Sequence, residues 1–266
     1  MSNHGKDQIR QMVRSRYKEI ALQGVNQSSC CSSSNGSSIP SDFNKVSSKL
    51  GYTNHELSSV PDGANLGLGC GNPQAIADLK PGEVVVDLGS GGGFDCFLAA
   101  RQVTETGAVI GVDMTPEMIS RARSNAENGG FTNTEFRLGE IEYLPVADNA
   151  VDVIISNCVI NLSPDKPQVF KEAYRVLKSG GRIAISDVVA TTEFPLEIKN
   201  NLGEFYAGCV LGASSIQDLE LMLKQSGFVQ ISIEPKDESK EFIKDWVTGA
   251  NIEDYIVSAV MKAVKP

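Results

Sequence analysis

The chain has 266 residues, 41% of them hydrophobic and 21% charged, enough apolar material for one large α/β domain or one domain with a modest addition. With 33 acidic and 24 basic residues the net charge is −9, which argues against a nucleic-acid partner, because binding phosphates needs a surplus of Lys and Arg. No apolar run approaches the ~18 residues of a membrane span, and Met1-Ser-Asn-His-Gly-Lys-Asp7 lacks the apolar stretch of a secretory signal. The expectation is a cytoplasmic protein with no membrane partner.

Residues 6–23 carry Ile9, Val13, Tyr17, Ile20 and Ala21 at helical spacing. The Ser-rich stretch 27–38 has the composition of a flexible linker. Short helices follow near Ser41 and Thr53, and residues 65–73 form a Gly-rich loop that leads through Pro73 into another short helix. From Glu83 strands and helices alternate. Strands are predicted at 84–88, 109–112, 134–138, 151–156 and 182–189. Between them helices are predicted at 94–101, after Thr115-Pro116 with Thr115 as cap and Gly129-Gly130 as stop, and at 166–178, closed by Gly180-Gly181. A helix at 216–225 and strands at 228–233 and 255–264 complete the pattern, the last strand suited to antiparallel insertion. The predicted fold is a Rossmann-like α/β sheet, mostly parallel, of seven strands with the last antiparallel and helices on both faces.

The segment Asp87-Leu-Gly-Ser-Gly-Gly-Gly93 lies where the first strand turns into the first core helix. Glycines there let the backbone approach a ligand closely. Gly89, Gly91 and Gly93 give G-x-G-x-G, but a dinucleotide fingerprint wants a small residue where this chain has Phe94. That mismatch favours a ligand without a pyrophosphate. Asp87 is placed to meet a cofactor amino group, and Asp113, closing the second strand, to bind both ribose hydroxyls. After the third strand, Glu140 can accept from an adenine amino group while Ile141 packs on the ring. Ser90, Met114 and Asn157 flank these positions and join the cofactor set. Any one of these residues alone is an ordinary turn glycine or helix-capping acid. Together they occupy the carboxyl ends of successive strands, where such sheets bind ligands.

Asp87–Gly93, Asp113, Glu140, Leu144-Pro145 and Tyr174-Arg-Val-Leu-Lys-Ser-Gly-Gly181 resemble the successive motifs of class I S-adenosylmethionine methyltransferases. The resemblance implies S-adenosylmethionine as cofactor. It divides the chain into an N-terminal helical and Ser-rich segment (1–64), a cofactor-binding core (65–190), and an acceptor-site insertion with sheet-completing elements (191–266).

Only two histidines exist, His4 and His55, so neither a His-based metal site nor a Ser-His-Asp triad is expected. The six cysteines fall at 30, 31, 70, 96, 158 and 209, with no C-x-x-C pair. An unpaired Cys is commonly a small buried hydrophobe. Cys96, beside Phe97 and Leu98, takes that role, and Cys158 fits either. The glycines around Cys70 and Cys209 make simple core packing less natural. Three thiolates at one point would suit a soft, thiophilic ion. Trivalent arsenic bound by three sulfurs keeps a lone pair and needs no base to act as nucleophile.

Asn65-Leu-Gly-Leu-Gly-Cys-Gly-Asn-Pro73, Gly93-Phe-Asp-Cys-Phe-Leu-Ala-Ala100, Ser156-Asn-Cys-Val-Ile-Asn-Leu162 and Gly208-Cys-Val-Leu-Gly-Ala213 closely resemble arsenite methyltransferases. By that resemblance Cys70, Cys158 and Cys209 hold As(III), delivered as a thiol adduct. Cys30 and Cys31 then join a thiol–disulfide step served by a reductant such as thioredoxin or glutathione. The sequence ends at the last core strand, which bears on how far methylation proceeds. Two alternatives stand beside this one. A methyltransferase for a quinone-like acceptor would draw on Glu204 or Tyr206, and a thiol-based metalloid-binding module would bind without turnover.

Overall fold

The computed structural model describes residues 3–23, 43–195, 209–246 and 251–266. The 21-residue helix α1 (Asn3–Gln23) is followed by α2 (Phe43–Lys49) and α3 (Asn54–Ser58). Thr53 starts α3 with a reciprocal cap: its hydroxyl accepts from Glu56 N, and the Glu56 carboxylate accepts from Thr53 N. The Gly-rich loop then runs into a single turn, α4 (Gln74–Ala77), entered through Pro73.

The alternating part comprises β1 (Val84–Leu88), α5 (Phe94–Val103), β2 (Ala108–Asp113), α6 (Pro116–Gly129), β3 (Thr134–Leu138), β4 (Val151–Asn157), α7 (Lys166–Val176) and β5 (Leu177–Ala190). After it come β6 (Ser214–Ser215), α8 (Ile216–Ser226), β7 (Val229–Lys236), α9 (Lys240–Ile243) and β8 (Ile256–Val264). One sheet holds all eight strands in the order β3-β2-β1-β4-β5-β8-β7, with β6 paired to the end of β5. Every pairing is parallel except those of β8, which runs antiparallel to both β5 and β7. Among the described residues the strand beyond the expected seven is the two-residue β6.

Strands covered on both faces read as continuous apolar runs, and β1 and β4 do. On one face Val85, Val153 and Ile155 pack with Phe97 of α5, Ile119 of α6 and Phe136 of β3. On the other, Val86, Leu88 and Ile154 pack with Phe170 of α7 and Leu223 of α8. Burying one such side chain contributes roughly 1.5–3 kcal/mol. The parallel register, Val86 opposite both Ile110 and Ile154, brings the carboxyl ends of β1, β2 and β4 to one edge. No described helix is long and apolar enough to cross a membrane.

Two boundaries differ from expectation. Gly180-Gly181 does not close α7, which ends at Val176. Leu177 is fully buried and pairs with Val151, so the chain enters β5 at once, and Gly180 (φ 79°) turns within it. Thr115 precedes α6, but its hydroxyl caps nothing. Its N–H donates to Asp113 Oδ1 at 2.8 Å, a carboxylate already fixed at the end of β2.

Candidate active site

The glycine turn after β1 is shaped by what surrounds it. Gly89 (φ 72°) has no room for a side chain, since a Cβ there would lie 2.4 Å from Val159 Cγ2. Gly93 (φ 92°) starts α5, and its Cβ would meet Phe97 at 2.7 Å. Its role is close helix packing. Gly91 differs: a Cβ there would meet nothing within 4 Å, so its surface faces open space. Asp113 fixes the turn by accepting from Gly91 N at 3.0 Å.

Gly89, Gly91 and Asp113 line a cavity of about 1140 Å³, ample against the ~300–1,000 Å³ typical of small-molecule sites. Asp87, Gly89, Ser90, Gly91, Asp113, Met114, Ile141 and Asn157 all line it. Ser90 Oγ is buried without a hydrogen-bond partner. A glycine turn open at Gly91, an orphaned hydroxyl and two strand-end carboxylates fit a nucleoside-bearing cofactor.

Glu140 is placed otherwise. Gly139, Ile141 and Glu142 line the cavity, while the Glu140 carboxylate pairs with Arg10 (3.2 Å) and Arg14 (3.4 Å) of α1. Its acceptor atoms are directed to the covering helix, where an adenine contact was expected. That helix also brings Val13, Tyr17 and Ile20 to the cavity wall.

Asp87 is 3% exposed, and burial together with the nearby Asp95 charge raises its pKa well above the carboxylate norm. The thiol of Cys96 donates to Asp87 Oδ2 at 3.2 Å, so this cysteine adds a hydrogen bond to its packing role. Asp95 is pushed by burial up to about 6, against hydrogen bonds from Tyr52, Asn157 and Gln74 that favour its charged form. Burial likewise raises Asp113, offset in part by the Thr115 and Gly91 amides.

The amide of Asn157 is engaged on both sides. Its Oδ1 accepts from Cys70 N (2.9 Å), and its Nδ2 donates to Gly71 O (2.8 Å) and Tyr52 Oη (3.0 Å). It thus ties the Gly-rich loop to the end of β4. Gly69 (φ 122°) allows this, since a Cβ would fall 2.7 Å from the Asn157 amide.

Beyond that clamp three cysteines gather. The Sγ atoms of Cys70 and Cys158 lie within 4.8 Å of one another, and Cys209 Sγ donates to Cys158 O at 3.6 Å. Cys158 and Cys209 line the cavity, whereas Cys70 sits behind them, 1% exposed. Cys158 (φ 58°) and Cys209 (φ 64°) both occupy the left-handed region, a cost of ~1–2 kcal/mol each for a residue with a Cβ. The Cys158 conformation is tied down by its N–H, which donates to Ser186 O at 2.8 Å, while the Cys209 side chain meets Tyr17 Oη at 3.9 Å.

The setting raises the pKa of all three thiols. For Cys70 burial raises the pKa. For Cys158 the bond with Cys209 lowers it, but the bond with Cys70 and burial prevail. For Cys209 the bond with Cys158 and burial both raise it.

Two residues that sequence reasoning passed over belong here. Asn161 Nδ2 reaches Cys158 Sγ (3.7 Å) and Asp187 Oδ1 (2.6 Å). Asp187 lies near the end of β5, where an acid carries the same signal that marked Asp113 on β2. Cys30, Cys31, Glu204 and Tyr206 fall outside the described residues.

A nucleoside-sized cavity at the carboxyl edge of this sheet, entered by a glycine turn, defines the class, and the comparisons agree. A family profile described as a methyltransferase domain matches residues 79–227. The protein is an S-adenosylmethionine-dependent methyltransferase.

The relatives narrow the class. An arsenite methyltransferase of Halobacterium salinarum is 51% identical over 273 aligned positions, covering all of this chain and 69% of the relative. One from Mus musculus is 40% identical over 171, covering 60% of this chain and 44% of its own length. The crystal structure of an arsenic(III) S-adenosylmethionine methyltransferase from Chlamydomonas reinhardtii superposes with a TM-score of 0.61 at 32% identity, covering 86% of this chain and 75% of that one. The chain belongs to the arsenite methyltransferase family. It spans just over two thirds of the archaeal relative and under half of the mouse one.

Proposed function

We propose that this protein methylates trivalent arsenic held by Cys70, Cys158 and Cys209, as a step in arsenic detoxification. The observation that carries the proposal is the gathering of three cysteines from three separate connections at a cofactor-sized cavity, Cys158 and Cys209 lining it and Cys70 beside Cys158. Arsenic arrives as a thiol adduct and exchanges ligands, each incoming cysteine giving its proton to the departing thiolate. Bound to three sulfurs it keeps a lone pair, so no general base is required, and among the described residues no histidine lines the cavity.

Bound S-adenosylmethionine supplies an electrophilic methyl carbon on a sulfonium. Asp113 holds the ribose hydroxyls and Ile141 packs on the adenine. Asp87 accepts from the amino group directly or through water. Gly89, Ser90, Gly91 and Met114 line the approach, with Gly93 supporting the turn from below. Asn157 positions Cys70. The covering helix excludes water, which otherwise competes as an acceptor.

Methyl transfer leaves arsenic two electrons poorer. Closure of a thiol pair to a disulfide returns them, and Cys70 with Cys30 or Cys31 is the pair proposed. Thioredoxin or glutathione then restores the thiols by exchange. The test is incubation with arsenite, S-adenosylmethionine and a thiol, followed by chromatography with mass detection. Methylated arsenicals are expected. Their absence from protein with demonstrated cofactor binding overturns the proposal.

A further inference from the structure

The carboxylate of Asp187 stands beside two of the thiols. Ligand atoms of Cys70, Cys158 and Asp187 all lie within 4.8 Å of one another, and all three residues are buried. In a tetrahedral thiolate site with metal–sulfur bonds near ~2.3 Å, neighbouring donors stand somewhat closer than this, so the cluster needs only a small contraction. We infer that Cys70, Cys158 and Asp187 form a binding site for a thiophilic divalent cation such as Zn²⁺ or Cd²⁺, with a water as the fourth donor.

The carboxylate is set up to act as a ligand. Asp187 Oδ1 accepts from Asn161 Nδ2 (2.6 Å) and Val188 N (2.7 Å), while Oδ2 accepts from Asn161 N (3.1 Å). These three bonds fix its orientation and leave Oδ2 with a lone pair to spare. Such outer hydrogen bonds are what orient metal-binding carboxylates elsewhere.

One further polar atom beside the cluster lacks a partner: Ser186 Oγ, which lies against Gly71, next to Cys70. Buried polar atoms without partners are uncommon, and a water on a bound ion would satisfy it.

Arsenic and a divalent d¹⁰ ion make different demands here. Trivalent arsenic takes three sulfurs and fills its fourth position with its own lone pair, so it has no need of the carboxylate. Zinc and cadmium carry no such lone pair and take four donors. Asp187 therefore serves the divalent ion specifically. Binding replaces the two thiol protons of Cys70 and Cys158, which pass to solvent, and changes no oxidation state.

The test uses the full chain carrying Cys30→Ser and Cys31→Ser, with cadmium chloride as the sole ligand and neither arsenic nor cofactor present. Its outcome is thus independent of methyl transfer. Equilibrium dialysis should find one Cd²⁺ per chain, and the ¹¹³Cd NMR shift should lie in the range of mixed sulfur and oxygen ligation. Asp187→Asn should weaken binding roughly 10- to 100-fold, Cys158→Ser should abolish it, and Cys96→Ser should leave it unchanged. Absence of binding, an all-sulfur shift, or an affinity indifferent to Asp187→Asn overturns the inference. If Asp187→Asn fails to fold, the shift of the parent protein decides alone.

Discussion

Tyr17 of α1 and Cys209 of the connection after β5 meet hydroxyl to thiol at 3.9 Å, although 192 residues separate them. Val13, one helical turn before Tyr17, packs in the same apolar cluster as Cys70, Cys158 and Cys209. The covering helix and the thiol site therefore form one packed unit. Tyr17→Phe keeps the ring and removes the hydroxyl, at an expected cost of about 0.5–1.5 kcal/mol. Amide hydrogen exchange in α1 should quicken. An unchanged exchange pattern would make the contact incidental.

Lys6, Arg10, Arg14 and Lys18 recur every fourth residue along α1, and each pairs with an acid: Asp165, Glu142 and Glu140, Glu140, and Glu117. Their worth differs with burial. The Glu142 side chain is 4% exposed, so Arg10→Ala strands a buried charge and should cost about 1–3 kcal/mol. The Lys18 side chain is 53% exposed, and Lys18→Ala should cost about 0–1 kcal/mol. Urea denaturation of both variants checks the order, and equal losses would contradict it.

Replacing thiols separates their roles. Cys158→Ser or Cys209→Ser should abolish methylation of both arsenite and methylarsenite, because even a two-thiol adduct needs them. Cys70→Ser, or Cys30→Ser with Cys31→Ser, should mainly impair the first methylation, since a monomethylated arsenic offers only two exchangeable positions. Product chromatography distinguishes the steps. The assignment fails if Cys96→Ser proves as damaging as Cys158→Ser.

The left-handed backbone at Cys158 reverses an ordinary ranking. Glycine usually destabilises relative to alanine through its greater freedom in the unfolded chain. At φ 58° alanine keeps the steric penalty that glycine escapes, ~1–2 kcal/mol. Cys158→Gly should therefore be at least as stable as Cys158→Ala in thermal denaturation, with both inactive. Alanine clearly ahead would mean the conformation relaxes without cost.

Asp95 gives a pH dependence of definite sign. Its folded pKa is raised by burial to about 6 from an ordinary 3.8. Between those values the unfolded chain is ionised while the folded protein holds the proton, so this group's contribution to stability falls as pH rises through the window. Asp95→Asn has no such loss. Its stability relative to the parent should be higher at about pH 7 than at about pH 4, read from denaturation midpoints at both. A constant difference would show that Asp95 is ionised in both states.

Much of the sheet was legible because apolar runs and glycine punctuation are local signals. Val84–Leu88 and Thr134–Leu138 match the predicted bounds, and α5 starts at Phe94 as expected, running two residues longer. The end of α7 was misplaced because a long-range pairing, Leu177 with Val151, competed with a local glycine signal and prevailed. At the site the cysteine contexts were visible, but the partners were not. Glu140 turns to Arg10 and Arg14 because α1 folds back over the sheet, which no spacing in the sequence encodes. Asp187 was legible in principle, as an acid near the end of a core strand. Asn161 was not, since its meaning depends on Cys158 adopting a positive φ.

The three thiols come from the loop before β1, the turn after β4 and the connection after β5, with Cys158 and Cys209 alone 51 residues apart. The unfolded chain does not hold them together. Any molecule that engages all three binds the native protein in preference to the unfolded one, and so acts as a folding ligand that raises stability with the logarithm of its concentration. The adjacent Cys30 and Cys31 sit together in any conformation and would offset part of that gain by binding the unfolded chain as well. A cell exposed to such a molecule would thus hold more of this protein without making more.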